Sequence, residues 1–346
     1  MRDPLALGAA FDPRQRALTV LGALDVAAAV QGHERELIHV VELALAARSR
    51  GEVEMPLTEA LRVPGRDPAR LTARGVCIAG AQAVAGVHWR AAFPANRANG
   101  LPSGSGLIVL NRPDSGRPAT VIEASVIGGQ RTAALAALAA RVLHPRARIG
   151  TLGILGCGLA GREIARFILA DERPVEAVLV HDGQPAYSRS LADALRAEGR
   201  LAAVGVARSR KEMVERCDLL VFAGAAPRPS LDSIARSPRD ATILHVSLRD
   251  LTANALLQAD NVCDDLPSLL ASSGTVKRAA QLTGRDDIVR TTLGEVLTGR
   301  APARRGDRPV VFHPADGALL DVAIARFVAE RCADSGVGVV VPGFLA

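Results

Sequence analysis

Gly150-Thr-Leu-Gly-Ile-Leu-Gly-Cys-Gly-Leu-Ala-Gly161 is an apolar run that passes into three glycines, Gly156, Gly158 and Gly161. A short apolar run bounded by glycine reads as a buried strand, and Leu159–Ala160 begin an apolar helical pattern behind it. The order strand, G-x-G-x-x-G, helix is the context in which these glycines carry chemistry. Gly156 permits the tight turn, Gly158 lets backbone N–H groups approach a pyrophosphate, and Gly161 lets the helix pack close to the strand. The helix N-terminus, with Leu159 and Ala160 in its first turn, then faces the phosphates with its partial positive charge. One strand later, Val178-Leu-Val-His-Asp182 places an acid 21 residues beyond Gly161. An aspartate there accepts a hydrogen bond from the adenosine ribose 2′-OH of NAD and repels the 2′-phosphate of NADP. Arg189 nearby is the one counter-signal.

Outward from this motif the chain alternates. Strands are expected at 151–155, 177–181, 219–223, 241–247 and 261–263, with helices at 160–170, 187–198 and 211–216 between them. Such alternation implies a parallel sheet covered on both faces. Before it, Thr132 to His144 reads as an Ala/Leu-rich helix that Arg131 opens. Gly106–Asn111 and Ala119–Ala124 read as paired strands joined by a Pro/Asp/Gly turn. Asp25 to about Arg50 reads as one amphipathic helix with Asp25 as N-cap and Gly51 just past its end. A last helix, about 317–333, and a strand-like tail, 337–341, lie beyond the alternating block and are expected to pack back on the first unit.

Composition sets outer limits. The 346 residues are 49% apolar and 23% charged, which excludes a disordered polyelectrolyte and suggests two domains. No run reaches the 18 apolar residues or so of a membrane span, and Met1–Gln15 lacks the apolar core of a signal peptide. Of 42 basic residues only Lys211 and Lys277 are lysines, a skew that codon bias explains. It leaves carboxylates to be gripped by guanidinium forks. The arginines are scattered and aromatics number nine, so no nucleic-acid surface is expected. Five dispersed cysteines without a C-x-x-C pair fit a reducing cytoplasm and no metal site.

In an open parallel sheet, ligands sit beyond the carboxyl ends of the strands. Asp250 follows the strand at 241–247 and reads equally as an acid/base in that crevice or as a loop cap. Arg131, from pattern alone, reads as a surface cation.

Four stretches go further: Gly86-Val-His-Trp89, Gly106–Asn111 with its turn, Glu123-Ala-Ser-Val-Ile-Gly-Gly-Gln-Arg-Thr-Ala-Ala134, and Ile154–Gly161. Through them the chain resembles the ornithine cyclodeaminase/μ-crystallin family, over nearly its whole length. Leu293-Gly-Glu-Val-Leu-Thr-Gly299 and Val262-Cys-Asp-Asp265 are most similar to the branch that makes 2,3-diaminopropionate. The resemblance implies an α/β fold: a Rossmann-type dinucleotide-binding domain (131–311) inserted in a discontinuous α+β substrate and dimerisation domain (1–130 plus 312–346). It implies a homodimer, and NAD as cofactor with Thr132 beside the glycine motif. It also implies a small amino-acid-derived substrate with several carboxylates. For the branch, N-(2-amino-2-carboxyethyl)-L-glutamate is oxidised and hydrolysed to 2,3-diaminopropionate and 2-oxoglutarate.

Residue by residue, the resemblance makes Asp250 the catalytic aspartate, Arg131 a carboxylate-binding arginine, and Arg62 a second one. Two departures stand out. His88 occupies the family's lysine position, and Gly75-Val-Cys-Ile-Ala-Gly80 replaces a Met-Pro turn with its preceding glutamate. A histidine there serves as a protonated carboxylate donor, a general base, or a strand residue with a structural hydrogen bond. The alternatives are an amino-acid cyclodeaminase or imine/ketimine reductase on the same scaffold, and a dinucleotide-binding protein without catalysis.

Overall fold

The computed structural model describes residues 16–56, 60–199, 201–224, 229, 231–272, 274–285, 287–315 and 317–345. The N-terminal stretch read for a targeting signal, residues 1–15, lies outside the described residues. The first part of the chain runs β1 (Leu18–Leu21), α1 (Ala23–Val30), α2 (Glu34–Ser49), β2 (Val53–Glu54), β3 (Leu61–Arg62), β4 (Arg70–Ile78), β5 (Val84–Ala92), β6 (Gly104–Asn111), β7 (Pro118–Glu123) and α3 (Ala124–Leu143). The alternating part follows with β8 (Ile149–Leu155), α4 (Leu159–Ala170), β9 (Val175–His181), α5 (Pro185–Ala197), β10 (Ala203–Val206), α6 (Arg210–Arg216), β11 (Leu219–Phe222), β12 (Thr242–Leu244), α7 (Ala253–Leu257) and β13 (Asp260–Cys263). It continues through α8 (Leu266–Ala271), α9 (Thr275–Thr283), β14 (Val289–Thr292), α10 (Leu293–Leu297) and β15 (Val310–His313). The chain ends in α11 (Ala318–Asp334) and β16 (Val339–Val341).

These strands form two sheets. The second has the order β10-β9-β8-β11-β12-β15-β13-β14 and is parallel throughout. Its central strands β8, β11 and β12 read as near-continuous apolar runs because helices cover both faces. Mixed pairing marks the first sheet, order β16-β1-β7-β6-β5-β4-β2, with β3 beside β4. There β1 pairs parallel with β7, and the β4-β5-β6-β7 meander is antiparallel. The α/β class with a Rossmann-type sheet is the one expected. As expected, α11 returns to the first sheet, packing on β5 and β6, while β16 extends it at β1.

Three helical expectations change. The helix expected over 25–50 is two, α1 and α2, broken where Gly32 takes φ +76°, a left-handed value that glycine accepts without strain. Asp25 is not the N-cap; it sits three residues further in, and its carboxylate accepts from Gly22 N–H at 2.9 Å. The third change concerns the site. α3 begins at Ala124 rather than Thr132, because Glu123 caps it through Ser125 N–H (2.7 Å) and Val126 N–H (3.2 Å). The Val126–Ile127 pair and the Gly128–Gly129 pair are poor helix formers and conceal that first turn in the sequence. Arg131 therefore does not open a helix; it lies well inside one, and the boundary drawn at 130/131 falls within α3. All residues from Ala133 to Ala140 are buried, since α3 packs against α2, α4, α11, β6 and β12. Alanine suits a helix with neighbours on every side, where larger side chains would overpack.

β10, β14 and β15 are strands that the apolar pattern did not suggest; all three are only four residues long. Among the described residues, no helix is long and apolar enough to cross a membrane.

Candidate active site

The glycine motif has the geometry its chemistry requires. Gly156 takes φ +102°, and a Cβ on it would lie 2.3 Å from Gly224 N in the loop after β11. At Gly161 a Cβ would come within 1.9 Å of the Gly156 carbonyl oxygen. Gly158, the N-cap of α4, faces open space with nothing within 4 Å of where its Cβ would be. Two glycines are thus enforced by close backbone approach, and the middle one leaves a cradle with exposed N–H groups. Leu159 stands 78% exposed at the head of that helix, and Ala160 follows it. Asp182, just past β9, ties the loop together. One carboxylate oxygen accepts from Cys157 N–H (2.8 Å) and the other from Gln184 N–H (2.9 Å). A carboxylate has about four acceptor positions, so it retains capacity for a ribose hydroxyl. These residues fit a dinucleotide.

A cavity of about 280 Å³ opens on the first sheet, lined by His88, Arg90, Ser125, Arg131, Thr132 and Asp321, with glycines 104, 106 and 128. The glycines make it. Gly106 pairs with Arg90 across β5 and β6, so a side chain there would share a face with His88 and Arg90. A Cβ on Gly106 would sit 3.4 Å from His88 Nε2. From α3, Ser125, Gly128 and Arg131–Thr132 line up on one side at i, i+3 and i+6–i+7, the spacing of a helix face. The Thr132 hydroxyl donates back to Gly128 O at 2.8 Å.

Asp321 organises this cavity. It lies in the first turn of α11, where the helix end favours a carboxylate, and is 1% exposed. His88 Nδ1 stands 3.1 Å from its Oδ2, and Arg131 Nε donates to its Oδ1 at 3.2 Å. Burial pushes the Asp321 carboxyl up, but the Arg131 guanidinium and the His88 hydrogen bond outweigh it and hold the group below the usual carboxylate range. An ionised carboxylate only accepts, so His88 Nδ1 carries the proton. Its Nε2 is then the nitrogen turned toward the Gly106 wall of the cavity.

Asp250 stands elsewhere. It follows β12 at the carboxyl end of the parallel sheet, fully buried and outside the cavity lining. Arg210 Nη1 donates to its Oδ1 at 3.2 Å, and the Ser247 hydroxyl donates to its Oδ2. Its backbone N–H donates to His245 Nε2 at 3.1 Å. Because that amide can only donate, His245 must bear its proton on Nδ1 and pass it toward His313 Nδ1, 3.3 Å away. His313 Nε2 then donates to Asn261 Oδ1 at 3.0 Å, and the Asn261 amide to Leu256 O at 2.8 Å. Burial pushes His245 down to about 3 and, with His245 beside it, drives His313 well below its ordinary value. The chain of bonds is neutral and ends on the Asp250 loop. In that loop Leu248 takes φ +58°, a left-handed strain of the kind that clusters at functional sites.

The structure brings together His88, Arg131 and Thr132 in one cavity, and Gly156, Gly158, Leu159, Ala160, Gly161 and Asp182 in the nucleotide cradle. Arg62 joins neither: it is exposed on the two-residue strand β3, paired with Arg70. Sequence pattern does not point to Asp321 or Arg90. The available signal for Asp321 is a lone acid on the otherwise apolar run Ala318-Leu-Leu-Asp-Val-Ala-Ile-Ala325, which a buried helix face carries only when paired. Among the described residues, no cluster of three or more His, Cys, Asp or Glu could hold a metal ion.

Known proteins share this fold. N-((2S)-2-amino-2-carboxyethyl)-L-glutamate dehydrogenase of Staphylococcus aureus is 25% identical over 331 residues, 93% of this chain and 98% of that protein. The solved Thermococcus litoralis Delta(1)-pyrroline-2-carboxylate reductase, in complex with NADH and L-proline, superposes with a TM-score of 0.82 at 22% identity, covering 93% and 99% of the two chains. An archaeal alanine dehydrogenase dimer with bound NAD superposes at 0.83 and 23% identity, covering 94% and 99%. The profile of the ornithine cyclodeaminase/mu-crystallin family matches residues 19–336, and the chain belongs to that family.

Proposed function

We infer that this chain oxidises a secondary amine with NAD, its substrate being N-(2-amino-2-carboxyethyl)-L-glutamate and its products 2,3-diaminopropionate and 2-oxoglutarate. The observation that carries the reading is the cavity in which one buried carboxylate, Asp321, orients both His88 and Arg131. When bound, NAD supplies the acceptor for the electron pair of the substrate Cα–H bond. Gly156, Gly158, Leu159, Ala160 and Gly161 would hold its pyrophosphate, with Thr132 on the adjoining helix, and Asp182 its ribose, favouring NAD over NADP. Arg131 grips the substrate carboxylate and fixes its orientation. His88 takes the amine proton at Nε2 as the C=N bond forms. Water then adds to that carbon, and cleavage of the C–N bond releases the amine and the oxo acid. Asp250, at the carboxyl end of the nucleotide sheet, is the second acid/base by family resemblance.

The test is direct. Incubated with NAD and the glutamate conjugate, the protein is expected to accumulate NADH and release 2-oxoglutarate in equal amounts. Asp250→Asn is expected to lower kcat by about a hundredfold or more. Redox-neutral release of proline from ornithine would instead make the protein a cyclodeaminase. NADH consumption by cyclic imines, with no reaction of the conjugate, would make it a reductase.

The protein works, in this reading, as a homodimer. Trp89, 40% exposed, pairs across β5 and β6 with Leu107, 46% exposed, and Val87 stands two residues away on the same outer face. Such an apolar row marks an interaction surface, and the archaeal alanine dehydrogenase is solved as a dimer. Sedimentation at micromolar concentration should give twice the chain mass, and Trp89→Glu should give single chains. A wild-type protein sedimenting as one chain would refute the dimer.

A further inference from the structure

We propose that Arg90 receives a second substrate carboxylate, so that the cavity selects amino-acid derivatives bearing at least two carboxylates. The inference rests on the reading that this cavity is the substrate site. His88 and Arg90 are two apart on β5, so both side chains leave the same face of the strand. Both line the cavity, and Gly106, opposite Arg90, contributes no side chain between them.

The charges do not balance within the protein. Asp321 is engaged by His88 and Arg131, at 3.1 and 3.2 Å. The Arg90 side chain makes no hydrogen bond or ion pair among the described residues. A ligand with one carboxylate meets Arg131 and leaves the Arg90 guanidinium without a counter-charge. A ligand with two satisfies both, and a planar guanidinium offers the second carboxylate a bidentate fit. Arg62, expected from resemblance to hold that group, lies outside the lining; Arg90 is within it. A cavity near 280 Å³ also suits a small polar metabolite better than a bulky apolar one.

The test uses the full-length protein and two oxo acids that differ in the second carboxylate, 2-oxoglutarate and pyruvate. Calorimetric titration of the wild type should give about tenfold or more tighter binding of 2-oxoglutarate, as one charge-assisted hydrogen-bonded pair would provide. Arg90→Gln should bring that preference to within about twofold of parity, and Arg90→Lys should retain part of it. Turnover of the glutamate conjugate should show the same loss in KM with a smaller change in kcat. Arg90 is exposed, and melting curves recorded alongside check that the variants fold. A wild type with no preference, or an Arg90→Gln variant that keeps it, overturns the proposal. A wild type that prefers 2-oxoglutarate through Arg90 but never reduces NAD leaves the dicarboxylate site standing and removes the dehydrogenase reading instead.

Discussion

Asp321→Asn is expected to lower kcat by about a hundredfold or more, the range that goes with loss of a positioned acid/base. The carboxylate accepts from two partners at once, His88 Nδ1 and Arg131 Nε. An asparagine can accept from only one of them, and its NH2 group then faces a second donor. His88 is released to the other tautomer, with its proton on Nε2 where the proposed reaction needs a lone pair. Arg131, whose side chain is 17% exposed, loses its counter-charge. Removing one partner of a buried pair costs about 3–5 kcal/mol, and the partial exposure of Arg131 puts the expected loss of stability at or below the lower end.

Because burial, Arg131 and His88 together leave the Asp321 carboxyl below its usual range, the sign of the pH effect follows. A carboxylate with a lowered folded pKa stabilises the fold above its unfolded pKa, near 4, and that stability is lost as pH falls through the lower folded value. Wild type should therefore lose stability as pH falls below about 4. Asp321→Asn should lack that part of the slope. Thermal unfolding across acid pH and the kcat of both proteins check this together. A variant within twofold of wild type in kcat would remove Asp321 from the mechanism.

Gly161→Ala is expected to weaken NAD binding by more than about tenfold and to lower Tm as well. The added Cβ would meet the Gly156 carbonyl oxygen at 1.9 Å and Ile154 Cγ2 at 3.1 Å. The first contact is with backbone, which cannot rotate aside, so the helix must move away from the strand and carry its N–H groups with it. Gly158→Ala provides the contrast. With nothing within 4 Å of the new Cβ and φ −72°, the fold accommodates it and Tm should hold. The methyl group nevertheless stands where the pyrophosphate must approach, so NAD binding should weaken by about the same factor. Titration of NAD into the three proteins, with their melting curves, separates the two effects. Unaltered NAD affinity in Gly161→Ala would refute a dinucleotide site in this loop.

Local pattern is enough for the nucleotide cradle. Each of its features is set by residues adjacent in the chain: the apolar run Ile149–Leu155, the three glycines, Asp182 at the end of the next strand. Periodicity and glycine spacing report such features because one strand, one turn and one helix carry them. β14 (Val-Arg-Thr-Thr) escapes because one residue in four is apolar, and β10 because a glycine interrupts its short run. The start of α3 escapes because a single side chain, Glu123, caps a turn that propensity argues against.

The cavity on the first sheet is different in kind. His88 on β5, Arg131 on α3 and Asp321 on α11 are separated by 43 and 190 residues, and no spacing rule relates them. Their association depends on α11 returning across the first sheet and on α3 lying between the two sheets. That packing is set by apolar faces that do not encode which polar groups will meet. In the sequence Arg131 is a surface cation, His88 a substituted lysine and Asp321 one acid in an apolar helix. Only the tertiary fold excludes water from Asp321 and gives it two partners, and that burial makes the group costly to leave unpaired. The glycines and Asp182 are legible as a site from the order of residues along the chain. The cavity is not, because its chemistry lies in contacts between elements and not in any one of them.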